Sequence, residues 1–266
     1  MLKIRVIPVL FLMNGLIVRS ETFSDFKVIG SPFDQLARLD EWLADELVYI
    51  DITREGGHDL RRSDKKYVVE DDIVAILREI SRRAFMPLTF GGRIREMSDI
   101  DHFVRNGADK IIVNSAAYRT PEIVTRAAEK YGSQAIMAGI DVKWNEHRHV
   151  VTIDQGRTPI DVDLADYARD LESRGAGEIL LNSIDRDGTA DGYDLDVIRQ
   201  VAEAVSIPVI ACGGVGMFGD FTAAVEQAGA SAIAAGNIFH FTENAYKRAK
   251  AHLRGAGVPV RYPYAT

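Results

Sequence analysis

The amino-acid sequence predicts an α/β protein, and more narrowly a (β/α)8 or TIM barrel. Short apolar runs typical of buried strands alternate with longer amphipathic stretches, and eight such pairs fill most of the 266 residues. A doubly wound open sheet of this length would usually carry a glycine-rich dinucleotide-binding motif in its first unit, and the sequence has none there. Because no linker or break in composition divides the chain, residues 1–266 are predicted to form one domain.

The individual elements follow from local patterns. Apolar runs bounded by turn residues predict strands over 4–10, 46–52, 87–90, 110–114, 135–141, 178–183, 208–211 and 231–235. The clearest amphipathic patterns predict helices over 73–83, 100–106, 121–131 and 195–205. Asn14-Gly15 between two apolar stretches predicts a hairpin directly after the first strand, and residues 143–157 suggest another after the fifth strand, to which we assign no chemistry.

An internal repeat relates the two halves of the chain. Gly91-Gly92 recurs as Gly213-Gly214, and Gly107-Ala108 recurs as Gly229-Ala230, both at a separation of 122 residues. A single match could come from generic βα units, but two matches at one spacing are harder to obtain by chance. We therefore predict two half-barrels, with strands 1 to 4 matching strands 5 to 8.

Composition restricts the partners and the compartment. The 32 basic and 39 acidic residues give a formal net charge of −7, so no overall positive field attracts a nucleic-acid backbone. The apolar run after Lys3 and Arg5 imitates a secretion signal, but Pro8 and Asn14-Gly15 interrupt it. No other stretch approaches the roughly 20 apolar residues of a membrane helix. The single cysteine, Cys212, cannot form an internal disulfide, which fits a reducing compartment, and we predict a cytoplasmic protein. The charge and the lack of a membrane helix predict no nucleic-acid and no membrane partners.

The six histidines show no metal-ligand spacing with Cys212 or with carboxylates. We therefore predict no metal and no cofactor.

Glycine pairs after the third and seventh predicted strands suggest two phosphate cradles. The missing Cβ atoms let backbone N–H groups approach an anion at the face where barrel enzymes build their sites. The following strands end in Asn114-Ser115 and Gly236-Asn237, and Arg93 adds charge to the first cradle. Tight βα turns explain either glycine pair equally well, and the symmetric recurrence favours phosphate binding.

Carboxylates at strand ends are candidate general acids or bases. A loop or cap hydrogen bond is the better interpretation of Asp185 and an equal alternative for Asp51. Asp141 ends an apolar strand directly, so capping explains it less well. The repeat matches Asp141 with Phe11, and a phenylalanine cannot exchange protons.

Charged residues also stand at the opposite ends of the strands. Arg5, Glu46, Lys110 and Glu178 begin strands 1, 2, 4 and 6. Solvated rim charges are the default explanation, and a neutral ring that closes the barrel floor is the alternative. Residues 54–67 after the second strand contain five basic residues, which indicates a solvated loop or, alternatively, attraction for an anionic substrate.

Several motifs resemble the cyclase subunit of imidazole glycerol phosphate synthase over essentially the whole chain. They are Arg5-Val-Ile-Pro, Asp45-Glu-Leu-Val-Tyr-Ile-Asp-Ile-Thr53, Gly107-Ala-Asp-Lys110, Gly132-Ser-Gln-Ala135, Gly175-Ala-Gly-Glu-Ile-Leu-Leu181 and the highly specific Ser183-Ile-Asp-Arg-Asp-Gly-Thr189. The resemblance implies a (β/α)8 barrel that docks a glutaminase subunit on its amino-terminal face and passes ammonia through the barrel. The ammonia would then join a phosphorylated small-molecule substrate at the carboxyl-terminal face.

The resemblance also implies roles for individual residues. Arg5, Glu46, Lys110 and Glu178 would form the ammonia gate, Asp109 a partner contact, and Asp141 one of two catalytic aspartates. Asn114, Ser115, Asp187, Gly188, Gly213, Gly236 and Asn237 would bind phosphate, joined by Gly92, Arg93 and Gly214 of the two cradles. Arg19 stands where the family has a mobile-loop lysine and is a further candidate for substrate binding.

Departures from the family concern the chemistry. Phe11 replaces the second catalytic aspartate, Arg93 replaces a third glycine, and Asn182 replaces a threonine. The loop after the second strand is also longer and more basic than in that family. Loss of a general acid or base typically costs about 10² to 10⁴ in rate. The four gate residues match the family, so we expect the ammonia gate to be kept. The pair of aspartates that closes the ring is broken, because Phe11 replaces one of them.

This combination is similar to paralogues associated with surface-polysaccharide amidation. They accompany a glutaminase-like subunit and an amidotransferase that acts on a nucleotide-activated acetamido sugar. We hypothesise an ammonia-conducting barrel that no longer makes imidazole glycerol phosphate. The alternatives are a histidine-biosynthesis cyclase that recruits Asp51 or Asp187, and a scaffold that only activates a glutaminase. A phosphoribosyl isomerase is disfavoured because it would need two opposed carboxylates.

Overall fold

The structure, a computed structural model, describes residues 3–54 and 72–263. The strands are β1 (Arg5–Met13), β2 (Leu16–Glu21), β3 (Asp25–Gly30), β4 (Leu47–Asp51), β5 (Leu88–Gly91), β6 (Lys110–Val113), β7 (Ile136–Asn145), β8 (Arg148–Ile153), β9 (Thr158–Pro159), β10 (Glu178–Ser183), β11 (Val209–Cys212) and β12 (Ala232–Ala235). β1, β4, β5, β6, β7, β10, β11 and β12 are parallel neighbours, and β12 pairs with β1. The sheet is therefore a closed barrel, and the predicted (β/α)8 fold class is confirmed.

Helices lie between the barrel strands and after β12. They are α1 (Pro32–Glu41), α2 (Ile73–Arg83), α3 (Met97–Arg105), α4 (Ser115–Arg119), α5 (Glu122–Tyr131), α6 (Leu164–Ser173), α7 (Leu195–Ala204), α8 (Phe218–Glu226), α9 (Asn237–Phe241) and α10 (Ala245–Gly255). α2 has the predicted bounds. α3 begins three residues before the predicted Ile100 because the Asp99 carboxylate accepts the backbone N–H of Glu96, which stabilises an additional turn.

Two hairpins extend the barrel at its carboxyl-terminal end. Asn14 and Gly15 both have positive φ, 51° and 75°, which is the geometry of a two-residue turn between twisted strands. β1 pairs antiparallel with β2 there, so β1 continues past its predicted end at Leu10 to Met13. β7 continues past its predicted end at Asp141 to Asn145 and pairs antiparallel with β8, so the second hairpin overlaps the predicted residues 143–157.

Alternating side chains of β1 fill two separate layers. Val6, Leu10 and Leu12 pack in the layer between barrel and helices, whereas Ile7, Val9, Phe11 and Met13 pack inside the barrel. This is the period-2 alternation of a strand with both faces covered. The parity of position 11 therefore directs its side chain to the interior.

In the described ranges 3–54 and 72–263, no helix combines the length and apolarity needed to cross a membrane.

A buried ion pair fastens the last helix to the barrel floor. The Lys250 ammonium in α10 is 0% exposed and lies 2.6 Å from a carboxylate oxygen of Asp45. The Asp45 carboxylate also accepts the Val6 backbone N–H at 3.1 Å, and the Tyr246 hydroxyl donates to the Val6 carbonyl at 2.8 Å. These bonds satisfy polar groups that would otherwise be buried without partners.

We expect Asp45→Asn to lower the free energy of unfolding by about 3 to 5 kcal/mol, because it leaves the Lys250 charge buried without a counterion. Urea unfolding monitored by circular dichroism would measure the change. Asp45→Asn combined with Lys250→Met should recover most of the loss, since no buried charge remains. A loss below about 1 kcal/mol in the single variant would contradict a stabilising role for the pair.

Candidate functional site

Asp141 is held by two amides at the mouth of the barrel. Its carboxylate accepts hydrogen bonds from the Asn114 side chain at 2.9 Å and from the Asn182 side chain at 3.1 Å. Burial raises the pKa of Asp141 to about 6, and the two amide donors partly oppose that shift. The carboxylate is therefore poised to exchange a proton near neutral pH.

Phe11 lies in the same cavity as Asp141. Its side chain is 7% exposed and packs edge-on against Phe23, with the ring centroids 5.0 Å apart. The aromatic ring therefore occupies a position on the inner surface of the mouth, where it supplies apolar surface and no titratable group.

The cavity that contains Asp141 and Phe11, here called the main cavity, has a volume of about 400 Å³. Residues of β1, β4, β6, β7, β10 and β11 and of the loop after β5 line it. Four of the predicted phosphate or substrate residues line it, namely Gly92, Arg93, Asn114 and Ser115. A second cavity of about 20 Å³ is lined by Asp187, Gly188, Gly213, Gly214, Gly236 and Asn237. Phe11 lines both, so the two predicted cradles are brought to one mouth on either side of this ring.

Arg19 lies elsewhere. It belongs to β2, where its guanidinium is 5.8 Å from the centre of the Phe241 ring and 3.7 Å from the Glu21 carboxylate. It lines neither of these cavities, because the hairpin places it on the outer side. Its role in substrate binding stays a prediction.

The glycines of both cradles are required by the backbone itself. A Cβ atom on Gly92, which has φ of +93°, would lie 2.0 Å from the Asp51 carbonyl oxygen. A Cβ atom on Gly213 would lie 2.5 Å from the Ser183 carbonyl oxygen. Tight βα turns therefore account for these glycines, and phosphate binding depends on the cavities that they line.

The other aspartates at the mouth have different environments. Asp51 accepts the Thr53 backbone N–H at 2.9 Å and lies 3.8 Å from Arg93. Asp185 accepts the backbone N–H of Trp144. Both therefore make the loop hydrogen bonds that the sequence left open as alternatives. Burial and, to a smaller extent, the nearby charge of Asp141 together raise the pKa of Asp187 to about 7.

The hairpin over residues 143–157, to which the sequence assigned no chemistry, contributes part of the cavity wall. The Asp154 backbone N–H donates to the Ser115 hydroxyl at 2.9 Å, and the Gln155 side chain donates to the Ile52 carbonyl at 3.0 Å. The hairpin folds back over the mouth and brings Asp154, Gln155 and Arg157 to the cavity. Its length and its polar turn were the only sequence signals. Of the basic run 54–67, only Arg54 lies within the described residues; it too lines the cavity.

A closed ring of charges lies at the opposite end of the barrel. The Arg5 guanidinium is 2.6 Å from Glu46 and 2.8 Å from Glu178, and the Lys110 ammonium is 3.1 Å and 3.0 Å from the same two carboxylates. The Thr89 hydroxyl donates to Glu46 at 2.9 Å. Burial alone would lower the pKa of Arg5, but the two glutamates outweigh it and raise the pKa. The four residues therefore form a neutral ring rather than separate rim charges.

Asp109 lies beside this ring, one residue before Lys110. It is exposed, and one carboxylate oxygen accepts the Leu88 backbone N–H at 2.8 Å. The residue thus reaches the amino-terminal surface, where a partner contact would require it. That contact stays a prediction.

The absence of a metal also stays a prediction. In the described part of the chain, no three His, Cys, Asp or Glu side chains are grouped so as to hold a metal ion.

A comparison with protein families adds one finding to this geometry. The family described as histidine biosynthesis protein matches residues 5–245 of the chain. The matched range includes the charged ring, the Asp141 pocket and both cavities, so it covers both ends of the barrel and most of its sequence.

The Asp141 pocket generates a prediction about pH. Asn114→Ala and Asn182→Ala should each raise the pKa of Asp141 above its value of about 6, because each removes a donor that stabilises the carboxylate. Carbon-13 NMR titration of the carboxyl resonance, assigned with Asp141→Asn, measures the shift. An unchanged or lowered pKa would contradict the described hydrogen bonds.

The same shift has a consequence for stability. Because the folded-state pKa lies above the ordinary value of 3.8, the folded protein binds this proton more tightly than the unfolded chain does. The contribution of Asp141 to stability is therefore lost as pH rises from about 4 to about 6. Asp141→Asn should gain stability relative to the parent protein over that interval, which thermal unfolding at a series of pH values would detect.

Proposed function

Because the chain belongs to the histidine biosynthesis protein family, we propose that it is a cyclase-like barrel that conducts ammonia without closing the imidazole ring. A glutaminase partner supplies the ammonia at the amino-terminal face, and the acceptor is a nucleotide-activated sugar of surface-polysaccharide biosynthesis. The observation that carries the proposal is the combination of a complete charged ring at the floor with Phe11 in the cavity of Asp141.

The barrel interior suits a neutral small molecule. Above the ring, the interior is lined by apolar side chains that include Ile7, Val48, Met137, Ile210 and Ala234. Neutral ammonia loses little on transfer into such surroundings, whereas ammonium would lose its hydration without a counterion. A small rearrangement of the paired side chains in the ring would open a path along the barrel axis. Because the interior above the ring is apolar, that path would favour neutral ammonia over ammonium.

The amino-terminal face offers apolar surface for the glutaminase. Phe85 is 91% exposed and Leu43 is 48% exposed, and both lie in loops that lead into barrel strands beside the ring. Exposed aromatic side chains of this kind are typical anchors of protein interfaces. Asp109 adds a charged group at the same end of the barrel.

The carboxyl-terminal mouth lacks the acid and base pair that ring closure needs. Asp141 remains able to exchange a proton, but Phe11 supplies apolar surface at the matching position. Ammonia that reaches the mouth would therefore be passed to an acceptor whose activation is performed by another protein. A sugar amidotransferase fits that role, and the proposal places the reaction in the cytoplasm, where nucleotide-activated sugars are made.

A second candidate function is the cyclase of histidine biosynthesis itself. The observation in its favour is Asp187, which has a pKa raised to about 7 and responds to the charge of Asp141. Asp187 lines the small cavity on the other side of Phe11. It could replace the lost acid only if the ligand reached past that ring.

Cyclase assays separate the two functions. With ammonium and the bisphosphate precursor, we expect the protein to form imidazole glycerol phosphate about 10² to 10⁴ times more slowly than an authentic cyclase, because one proton-transfer group is missing. Phe11→Asp should raise the rate, and Phe11→Leu, its control, should not. A normal rate that Asp187→Asn abolishes would establish the second function instead.

Partner binding tests the amino-terminal face. We expect Phe85→Ser to weaken the complex with the proposed glutaminase partner by at least tenfold, about 1.4 kcal/mol, because an exposed aromatic anchor is lost. The matched control is Phe241→Ser at the opposite end of the barrel, where the ring is 61% exposed. Calorimetric titration measures both. Equal weakening by the two substitutions, or by neither, would contradict docking at the floor.

A further inference from the structure

The wall of the main cavity carries more arginine than the predicted phosphate cradle requires. Among the described residues, five guanidinium groups line it, contributed by Arg54, Arg93, Arg95, Arg119 and Arg157. Three carboxylates of the described residues line it as well, so the described part of the wall carries a formal excess of two positive charges in a chain whose net charge is −7. Such a local reversal of sign favours an anionic ligand.

Several of these arginines are held in place by the surrounding loops. Arg54 donates to the Gln155 side chain at 2.9 Å and to the Phe23 carbonyl at 3.1 Å. Arg157 donates to the Asp154 carbonyl at 2.8 Å, and Arg119 pairs with the Asp154 carboxylate at 2.6 Å. Guanidinium groups that are already oriented lose less conformational entropy when they bind an anion.

Two of the guanidinium groups also repel each other. Burial lowers the pKa of Arg54, and the charge of Arg157 lowers it further. The two side chains are therefore close enough to interact although they are separated widely in sequence. A bound anion would offset this repulsion, which favours anion binding between the two guanidinium groups.

The second cradle is closed by the chain itself. The Thr22 backbone N–H donates to the Asp187 carbonyl at 2.7 Å, and the Asn237 side chain donates to the Ser20 carbonyl at 3.0 Å. These bonds place the loop between β2 and β3 against the residues that would contact a second phosphate. The remaining volume of about 20 Å³ has room for about one water molecule.

An aromatic wall separates the two cradles. Phe11 lines both cavities, and Phe23 packs against its ring and lines the main one. A ligand with phosphates at its two ends would have to pass this wall and displace the loop. A ligand with its charge at one end would fit the main cavity, whose volume of about 400 Å³ is ordinary for a small-molecule site.

We propose that the mouth of this barrel binds an organic diphosphate through the arginines of the main cavity, and that the second cradle is occupied by the β2–β3 loop. A diphosphate carries more charge than a monophosphate and offers more oxygen atoms to paired guanidinium donors. The proposal rests on the proposed function in one respect, since it assigns the place at this mouth where the diphosphate of a nucleotide-activated acceptor would be held.

Calorimetric titration at fixed ionic strength tests the proposal. The probes are uridine diphosphate, uridine monophosphate, inorganic pyrophosphate and fructose 1,6-bisphosphate. Uridine diphosphate should bind at least tenfold more tightly than uridine monophosphate and fructose 1,6-bisphosphate, and pyrophosphate should compete with it. Arg157→Gln should weaken the diphosphate at least tenfold. Arg169→Gln, which alters an exposed pair on α6, is the matched control and should leave the affinity unchanged.

Two outcomes would overturn the proposal. One is that fructose 1,6-bisphosphate binds more tightly than uridine diphosphate and that Asn237→Ala weakens its binding. This result would show that both cradles are open. The other is no binding of uridine diphosphate, or binding that Arg157→Gln leaves unchanged although the variant has the parent unfolding midpoint. Neither outcome alters the cyclase assay or the partner titration, so the failure of this proposal is distinguishable from failure of the proposed function.

Discussion

The alternation of side chains along β1 is the constraint on which the other features depend. In a closed barrel, every second residue of a strand points inward, and β1 places Ile7, Val9 and Phe11 there. Arg5 has the same parity and joins the charged ring at the floor. A single strand thus supplies a residue of the charged ring, two residues of the apolar interior and the aromatic ring at the mouth. No shift of register could move Phe11 outward without also removing Arg5 from the ring.

The balance of charge differs between the two ends of the barrel. At the floor, two cations and two anions pair with one another within 3.1 Å, so the ring carries no formal net charge. Among the described residues that line the main cavity, guanidinium groups exceed carboxylates, and Asp141 is held by neutral amides rather than by a cation. The first arrangement suits passage of an uncharged molecule along the axis. The second would suit retention of an anion at the opposite end of the barrel, as the proposed function requires.

The sequence predicted the features that depend on local pattern. It did not predict those that depend on contacts between residues far apart in the sequence. Apolar runs located all eight barrel strands, and Asn14-Gly15 located a hairpin, because strand burial and turn geometry are encoded within a few residues. The spacing of Arg5 and Lys110 could not distinguish a ring from rim charges, since pairing depends on barrel closure. The position of Arg19 against Phe241 and the contribution of Arg157 to the cavity depend on how hairpins fold back over the mouth, which no local pattern specifies.

The most direct test of ammonia passage is an isotope competition in the proposed complex of barrel, glutaminase and sugar amidotransferase. Glutamine labelled with nitrogen-15 at its amide is supplied together with excess unlabelled ammonium, and the nitrogen of the amidated sugar is measured by mass spectrometry. If the barrel conducts ammonia internally, the product should keep the label. A product that is diluted to the isotope ratio of the solution would contradict passage through the barrel.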